Sequence, residues 1–111
     1  MTTTKTKVSE VQIMEIEELK VHRKQILALA RRYHAPNIRV FGSVVRGEAT
    51  EASDVDFLID VPPEQTLFDL IRLTRALSEL LGCKVDVAQS TVLHPTIRDE
   101  ILHDAVALES L

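Results

Sequence analysis

Apolar positions in the first third of the chain recur at helical spacing. Ile16, Leu19, Ile26, Ala30 and Tyr33 fall near one face of a helix, while Glu17, Arg23, Lys24 and Arg31 fall elsewhere. This pattern predicts a helix over residues 13–33, ended by His34-Ala35-Pro36-Asn37 because the residue before a proline is pushed out of the helical region. A short strand, 38–41, then runs into Gly42-Ser43. A second strand is expected over 54–61, stopped by Pro62-Pro63 because proline cannot donate to the sheet ladder. A second helix is expected over 67–81, with Leu67, Leu70, Ile71, Leu77 and Leu81 as its stripe, Thr66 as N-cap and Gly82 as its stop. Residues 84–88 read as a third strand and 95–108 as a last helix, with Pro95 tolerated in its first turn. This order implies a small α+β (α/β) fold, a mixed β-sheet with helices packed on one face.

Length and composition sharpen the picture without changing it. At 111 residues the chain is expected to form one compact domain over 11–111, preceded by a flexible tail at 1–10. The net charge of −4 argues against general nucleic-acid binding, which needs a basic footprint. A single cysteine, Cys83, excludes an internal disulfide and suits a cytoplasmic location; among apolar neighbours it reads as an inert thiol. No apolar run is long enough for a membrane span, and residues 1–7 do not resemble a signal peptide.

The alternation carries chemistry as well as packing. Val55, Phe57 and Ile59 share one strand face, which leaves Asp54 and Asp56 projecting together from the other. The third strand repeats the scheme, with Val85 and Val87 on one side and Asp86 on the other. If the two strands are neighbours, three carboxylates converge. Two like charges ~4 Å apart repel by about 4 kcal/mol at an effective dielectric near 20, so such a cluster calls for a counter-ion. Hard oxygen ligands favour Mg²⁺, and a pair of ions can clamp an in-line displacement at phosphorus. Gly42 allows a tight turn and close approach of a ligand. If Ser43 opens a short helix, its hydroxyl and the first free N–H groups face any phosphate there, and Arg46 can add charge one turn on.

Gly42-Ser43, ten intervening residues and Asp54-x-Asp56 resemble the signature of the nucleotidyltransferase superfamily that includes DNA polymerase β. The longer string GSVVRGEATEASDVDFLID is similar to its minimal nucleotidyltransferase branch, as are Lys84-Val85-Asp86-Val87 and the ending PTIRDEILHDAVAL. The resemblance implies that Asp54, Asp56 and Asp86 are catalytic and hold metal, and that Gly42 and Ser43 hold the triphosphate. Relatives often have Arg-Ala after Gly-Ser, where this chain has Val44-Val45; those positions are not the ligands, so the site is expected to survive the change even at the cost of a phosphate or partner contact. Many family members neutralise a HEPN-domain ribonuclease toxin by transferring AMP from ATP to one of its tyrosines. The resemblance therefore implies an antitoxin enzyme with Mg²⁺ as cofactor, ATP as substrate and a HEPN toxin as partner.

Other residues take plainer readings. Asp60 lies near Pro62 and reads as surface; His22, His34, His94 and His103 lack metal-ligand spacing, and Tyr33 reads as helix packing. Arg98 and His103 fit a loose Arg-x4-His ribonuclease pattern, but residues five apart on a helix do not share a face. Two competing functions remain: a binding-only antitoxin without turnover, and a nucleotidyltransferase acting on a small hydroxyl substrate. Clustered carboxylates favour an enzyme over a pure binder. The small-substrate enzymes usually carry an extra helical domain, for which this chain has no room.

Overall fold

The computed structural model describes residues 13–111, so the expected tail at 1–10 lies outside the described residues. Helices α1 (Ile16–Val21) and α2 (Arg23–Arg32) lead into β1 (Arg39–Phe41) and a short α3 (Ser43–Arg46). Strand β2 (Val55–Ile59), helix α4 (Leu67–Leu81) and strand β3 (Val85–Gln89) form the middle of the chain. Helix α5 (Pro95–Asp104) and a two-residue β4 (Val106–Ala107) complete it, each followed or preceded by a short 3₁₀ turn. The sheet order is β3-β2-β1-β4, with β2 parallel to β3 and β1 antiparallel to both β2 and β4. The mixed sheet is the one expected.

Two helices depart from the sequence expectation. The first is divided at His22, whose φ of −95° and ψ of 8° interrupt the helical run between α1 and α2. Leu19 on α1 and Ile26 and Ala30 on α2 still reach one core, so the break redirects the chain without changing the buried face. α2 then ends before proline can act. His34 takes a left-handed φ of 58°, Ala35 N–H donates to the Ala30 carbonyl at 2.8 Å, and His34 N–H donates to Arg31. That pair of bonds is a Schellman closure. The last helix stops at Asp104 rather than 108, because Ala105 turns extended and Val106–Ala107 pairs with Val40 and Arg39 of β1.

α4 matches its expected bounds for reasons visible in the chain. The Thr66 hydroxyl accepts from Asp69 N–H and the Asp69 carboxylate accepts from Thr66 N–H, a reciprocal capping box. Gly82, at φ 69°, closes the other end. Leu73, Leu77 and Leu81 lie against Val55, Phe57 and Ile59 of β2, joined by Leu19, Ile26 and Val40, so α1, α2 and α4 cover one sheet face. Tyr33 packs at the edge of this cluster. The opposite face of β2 is not uniformly open: Leu58, which shares the pleat side of Asp56, is fully buried. Among the described residues no helix is long and apolar enough to cross a membrane.

Candidate active site

Strand register sets the site. β2 and β3 run parallel with Val55 opposite Val85, and Asp56 therefore stands directly opposite Asp86. Neighbouring strands lie about 4.8 Å apart, so the two carboxylates leave adjacent backbones on the same side of the sheet. Asp54, two residues upstream, shares that side. Val55 N–H donates to the Lys84 carbonyl at 3.0 Å, which continues the pairing to the strand ends. Lys84 Nζ lies 3.9 Å from Asp54 Oδ2, a loose pair on an exposed lysine.

Asp86 is exposed, whereas Asp56 is half-buried. Burial pushes its carboxyl above the usual carboxylate range, the charges of Asp86 and Asp54 push it further, and Arg46 opposes them. The three acids thus form one electrostatic unit. Among the described residues, no group of three or more His, Cys, Asp or Glu side chains is already disposed to hold a metal ion. The donor set, carboxylate oxygens alone, is of the kind that suits a hard divalent cation such as Mg²⁺.

The glycine turn lies against this unit. Phe41, the last residue of β1, pairs across the sheet with Asp56, and Gly42 follows at φ 83° and ψ −151°. A Cβ on Gly42 would lie 2.7 Å from Asp56 Oδ2, closer than real Cβ contacts come. The backbone conformation requires glycine, and a Cβ there would also displace the Asp56 carboxylate. Gly42 is the N-cap of α3, and Ser43 opens that helix as the sequence suggested. Val44 anchors α3 in the core, while Gly47 in the left-handed region ends it.

A match to the nucleotidyltransferase domain family spans residues 22–108 and so contains every element of this arrangement. The chain belongs to that family. The nucleotidyltransferase is 41% identical over 93 residues to the protein adenylyltransferase MntA of Thermococcus cleftensis, a span covering 83% of this chain and 91% of the relative. A solved structure described as a minimal nucleotidyltransferase superposes with a TM-score of 0.77 at 43% identity, covering 84% of this chain and 95% of that one. The same fold occurs in the complex of a tri-AMPylated Shewanella oneidensis HEPN toxin with an MNT antitoxin, with a TM-score of 0.61 at 17% identity. That alignment covers 81% of this chain and 71% of the other.

Around the turn, the nucleotidyltransferase holds Arg46 in a way the sequence did not reveal. Arg46 Nε donates to Glu48 Oε1 at 2.9 Å and Nη1 donates to Asp104 Oδ2 at 2.9 Å. Hydrogen bonds from Arg46 to Glu48 and then Asp104 push the guanidinium pKa up, so its positive charge near Asp56 is secure. The Glu48 contact lies within reach of local inspection. The Asp104 contact joins residues 58 apart in sequence and has no local signal.

Asp60, read as surface, is a structural tie. It accepts from Asn37 Nδ2 at 3.0 Å, Arg39 Nη2 at 2.7 Å and Ser90 Oγ at 3.0 Å, which fastens the end of β2 to the start of β1, the residues just before it and the chain after β3. Three of the four histidines take structural roles: His34 pairs with Asp69 at 3.2 Å, His22 meets Gln25, and His94 accepts from Thr96 N–H at the start of α5. Cys83 is half-buried; burial and the Asp54 charge push its thiol pKa up, which keeps it an unreactive thiol.

Proposed function

We propose that this chain is a Mg²⁺-dependent antitoxin that transfers AMP from ATP to a tyrosine of a HEPN-type ribonuclease toxin, and so neutralises it. One observation carries the reading: Asp56 and Asp86 stand opposite each other on adjacent parallel strands, with the Cβ-less Gly42 against Asp56. The identity with the adenylyltransferase of Thermococcus cleftensis supports the adenylyl group, and the shared fold of the HEPN–MNT complex supports the kind of partner. We also take residues 11–111 as a single catalytic domain.

Magnesium held by Asp54, Asp56 and Asp86 would neutralise the carboxylates and the phosphate charge that builds during transfer. Gly42 leaves the space beside Asp56 that a larger residue would fill, so the triphosphate can approach the backbone there. Ser43 contributes its hydroxyl and the first N–H groups of α3, which have no carbonyl one turn behind them. Arg46 adds a fixed positive charge. The tyrosine Oη attacks the α-phosphorus and forms the new O–P bond, while the bond from that phosphorus to the bridging oxygen breaks and pyrophosphate leaves. Asp86, the most exposed of the three carboxylates, takes the hydroxyl proton. Orienting the acceptor and donor accounts for much of the rate gain.

The test is to incubate the chain with a HEPN toxin encoded beside it and Mg²⁺-ATP, then read the toxin's intact mass. AMP-sized adducts that vanish with Asp54→Ala or Asp56→Ala are expected. Tight binding with unchanged toxin mass would favour a binding-only antitoxin instead. Adducts that persist in both variants would remove the carboxylates from the reaction.

A further inference from the structure

Arg46 stands near the carboxylate unit without pairing with it. Its charge opposes the upward push on the Asp56 carboxyl. Yet its salt bridges among the described residues go to Glu48 and Asp104, and none goes to Asp54, Asp56 or Asp86. A long cationic side chain beside three clustered carboxylates is drawn toward them unless other acceptors hold it back.

Both of its acceptors are fixed by backbone. Glu48 N–H donates to the Ser43 carbonyl at 2.9 Å, which ties Glu48 to the residue that opens α3. Asp104 is the last residue of α5; just beyond it, Val106 and Ala107 pair with Val40 and Arg39, and Leu108 N–H donates to the Ile38 carbonyl at 3.0 Å. The short β4 thus fastens Asp104 beside β1, the strand that leads into Gly42. An acidic group at a helix C-terminus runs against the helix dipole, so Asp104 gains nothing from α5 itself. Its side-chain partner among the described residues is Arg46.

The grip on Arg46 is one-sided. Glu48 takes Nε and Asp104 takes Nη1, which leaves the Nη2 amino group without a partner among the described residues. Arg46 follows Ser43 by three positions in α3, and residues three apart share a helix face. The guanidinium therefore rises from the side of the turn that carries the Ser43 hydroxyl. Held at two nitrogens, it can offer the third to an anion without first ordering a loose arginine side chain.

We propose that Asp104 and Glu48 are positioning residues, which hold Arg46 away from the carboxylates and present its Nη2 edge to the phosphates of the bound nucleotide. The inference rests on the reading of the chain as a nucleotidyltransferase that takes ATP. Arg46 touches the nucleotide, and Asp104 acts only through Arg46. The end of the chain thereby reaches the phosphate turn through a single side chain.

The experiment uses the full chain with Mg²⁺ and compares Asp104→Ala, Asp104→Asn, Arg46→Ala and the Arg46→Ala/Asp104→Ala double variant. ATP affinity is measured by calorimetry, and AMP transfer to the HEPN toxin by intact mass with separate kcat and ATP KM. Simple electrostatics and positioning predict opposite signs. Removing an acid near an anionic ligand should tighten ATP binding, whereas releasing Arg46 should weaken it. Asp104→Ala should weaken ATP binding and raise the ATP KM by about fivefold, the loss of one charge-assisted hydrogen bond's worth of order. Asp104→Asn, which keeps an acceptor oxygen, should stay within about twofold of the native chain. In the Arg46→Ala background, Asp104→Ala should add nothing. Asp99→Ala, which removes an exposed acid on the same helix with no salt bridge among the described residues, should not weaken ATP binding. Melting should change little, because an exposed ion pair is worth little and its loss relieves the helix dipole. Should Asp104→Ala fail to fold, Glu48→Ala gives the same reading from the other hold.

ATP binding that tightens or stays unchanged in Asp104→Ala overturns the proposal, as does a further loss in the Arg46→Ala background. A native chain that binds no ATP overturns it too. AMP transfer with a native ATP KM in Asp104→Ala removes the positioning role and leaves the transfer reading standing. Asp104-dependent ATP binding by a chain that transfers no AMP upholds positioning and sinks the transfer reading, so the two fail separately.

Discussion

Replacing Gly42 by Ala tests the turn and the carboxylate together. The new Cβ would lie 2.7 Å from Asp56 Oδ2, about 0.7 Å short of an ordinary 3.4 Å contact. The backbone is strained too, since φ 83° with ψ −151° lies in a region essentially reserved for glycine. That strain costs on the order of 1–3 kcal/mol. At roughly 4–8 °C per kcal/mol for a small domain, the melting temperature should fall by about 5–20 °C. Relief of the clash moves the Asp56 carboxylate or the turn, and a misplacement near 1 Å at a reacting centre costs about 10²-fold in rate. Gly47→Ala is the control, because Gly47 has φ 71° but nothing within 4 Å of its missing Cβ. Both variants should lose stability, measured by thermal melting. Only Gly42→Ala should lose AMP transfer by about 10²-fold when assayed well below its melting point. A Gly42→Ala protein that transfers AMP within twofold of Gly47→Ala would refute the claim that this glycine keeps space at Asp56.

Three further expectations follow from the same structure. Burial, then the charges of Asp86 and Asp54, raise the Asp56 pKa in the fold, so its native state holds the proton more tightly than the unfolded chain does. Its contribution to stability is therefore fully present below about pH 4 and is lost as pH rises through the higher folded value. Melting in chelator across that range should show a decline that Asp56→Asn flattens; an unchanged decline would show that Asp56 is not its source. Asp60→Ala removes three hydrogen bonds, one from a mostly covered Arg39, and should destabilise by about 1–2 kcal/mol after allowing for exposure of the carboxylate, as read by urea denaturation. Thr66→Ala breaks the α4 capping box and should cost about 1 kcal/mol in the same assay, with AMP transfer preserved at temperatures where the fold is intact.

Much of the sheet could be seen in the chain because period-two patterns report burial directly. Val55, Phe57 and Ile59 are all buried, and the strand opposite them carries Asp86 in register with Asp56. The α4 bounds were legible for a local reason, since Thr66 and Gly82 act within one turn of the helix ends. The features that escaped are those without a local pattern. β4 is two residues long and exists only because β1 pairs with it, so the last helix was expected to run through it. The division at His22 changes no buried position and leaves the apolar stripe intact. Leu58 is buried on the carboxylate side of β2, a burial that polar–apolar alternation does not mark. The hold on Arg46 by Asp104 and the tie through Asp60 to Arg39 and Ser90 join distant segments, and only the folded chain displays them.

The central claim is that Gly42, Ser43 and the Asp54, Asp56 and Asp86 carboxylates form one site that moves an adenylyl group onto a protein. The most direct measurement supplies the chain and the proposed HEPN toxin partner with Mg²⁺ and ATP labelled at either the α- or the γ-phosphorus, then follows label on the toxin. The account predicts label from the α-position alone, and none with Asp56→Ala. Label arriving from the γ-position, or α-label undiminished in Asp56→Ala, would contradict it.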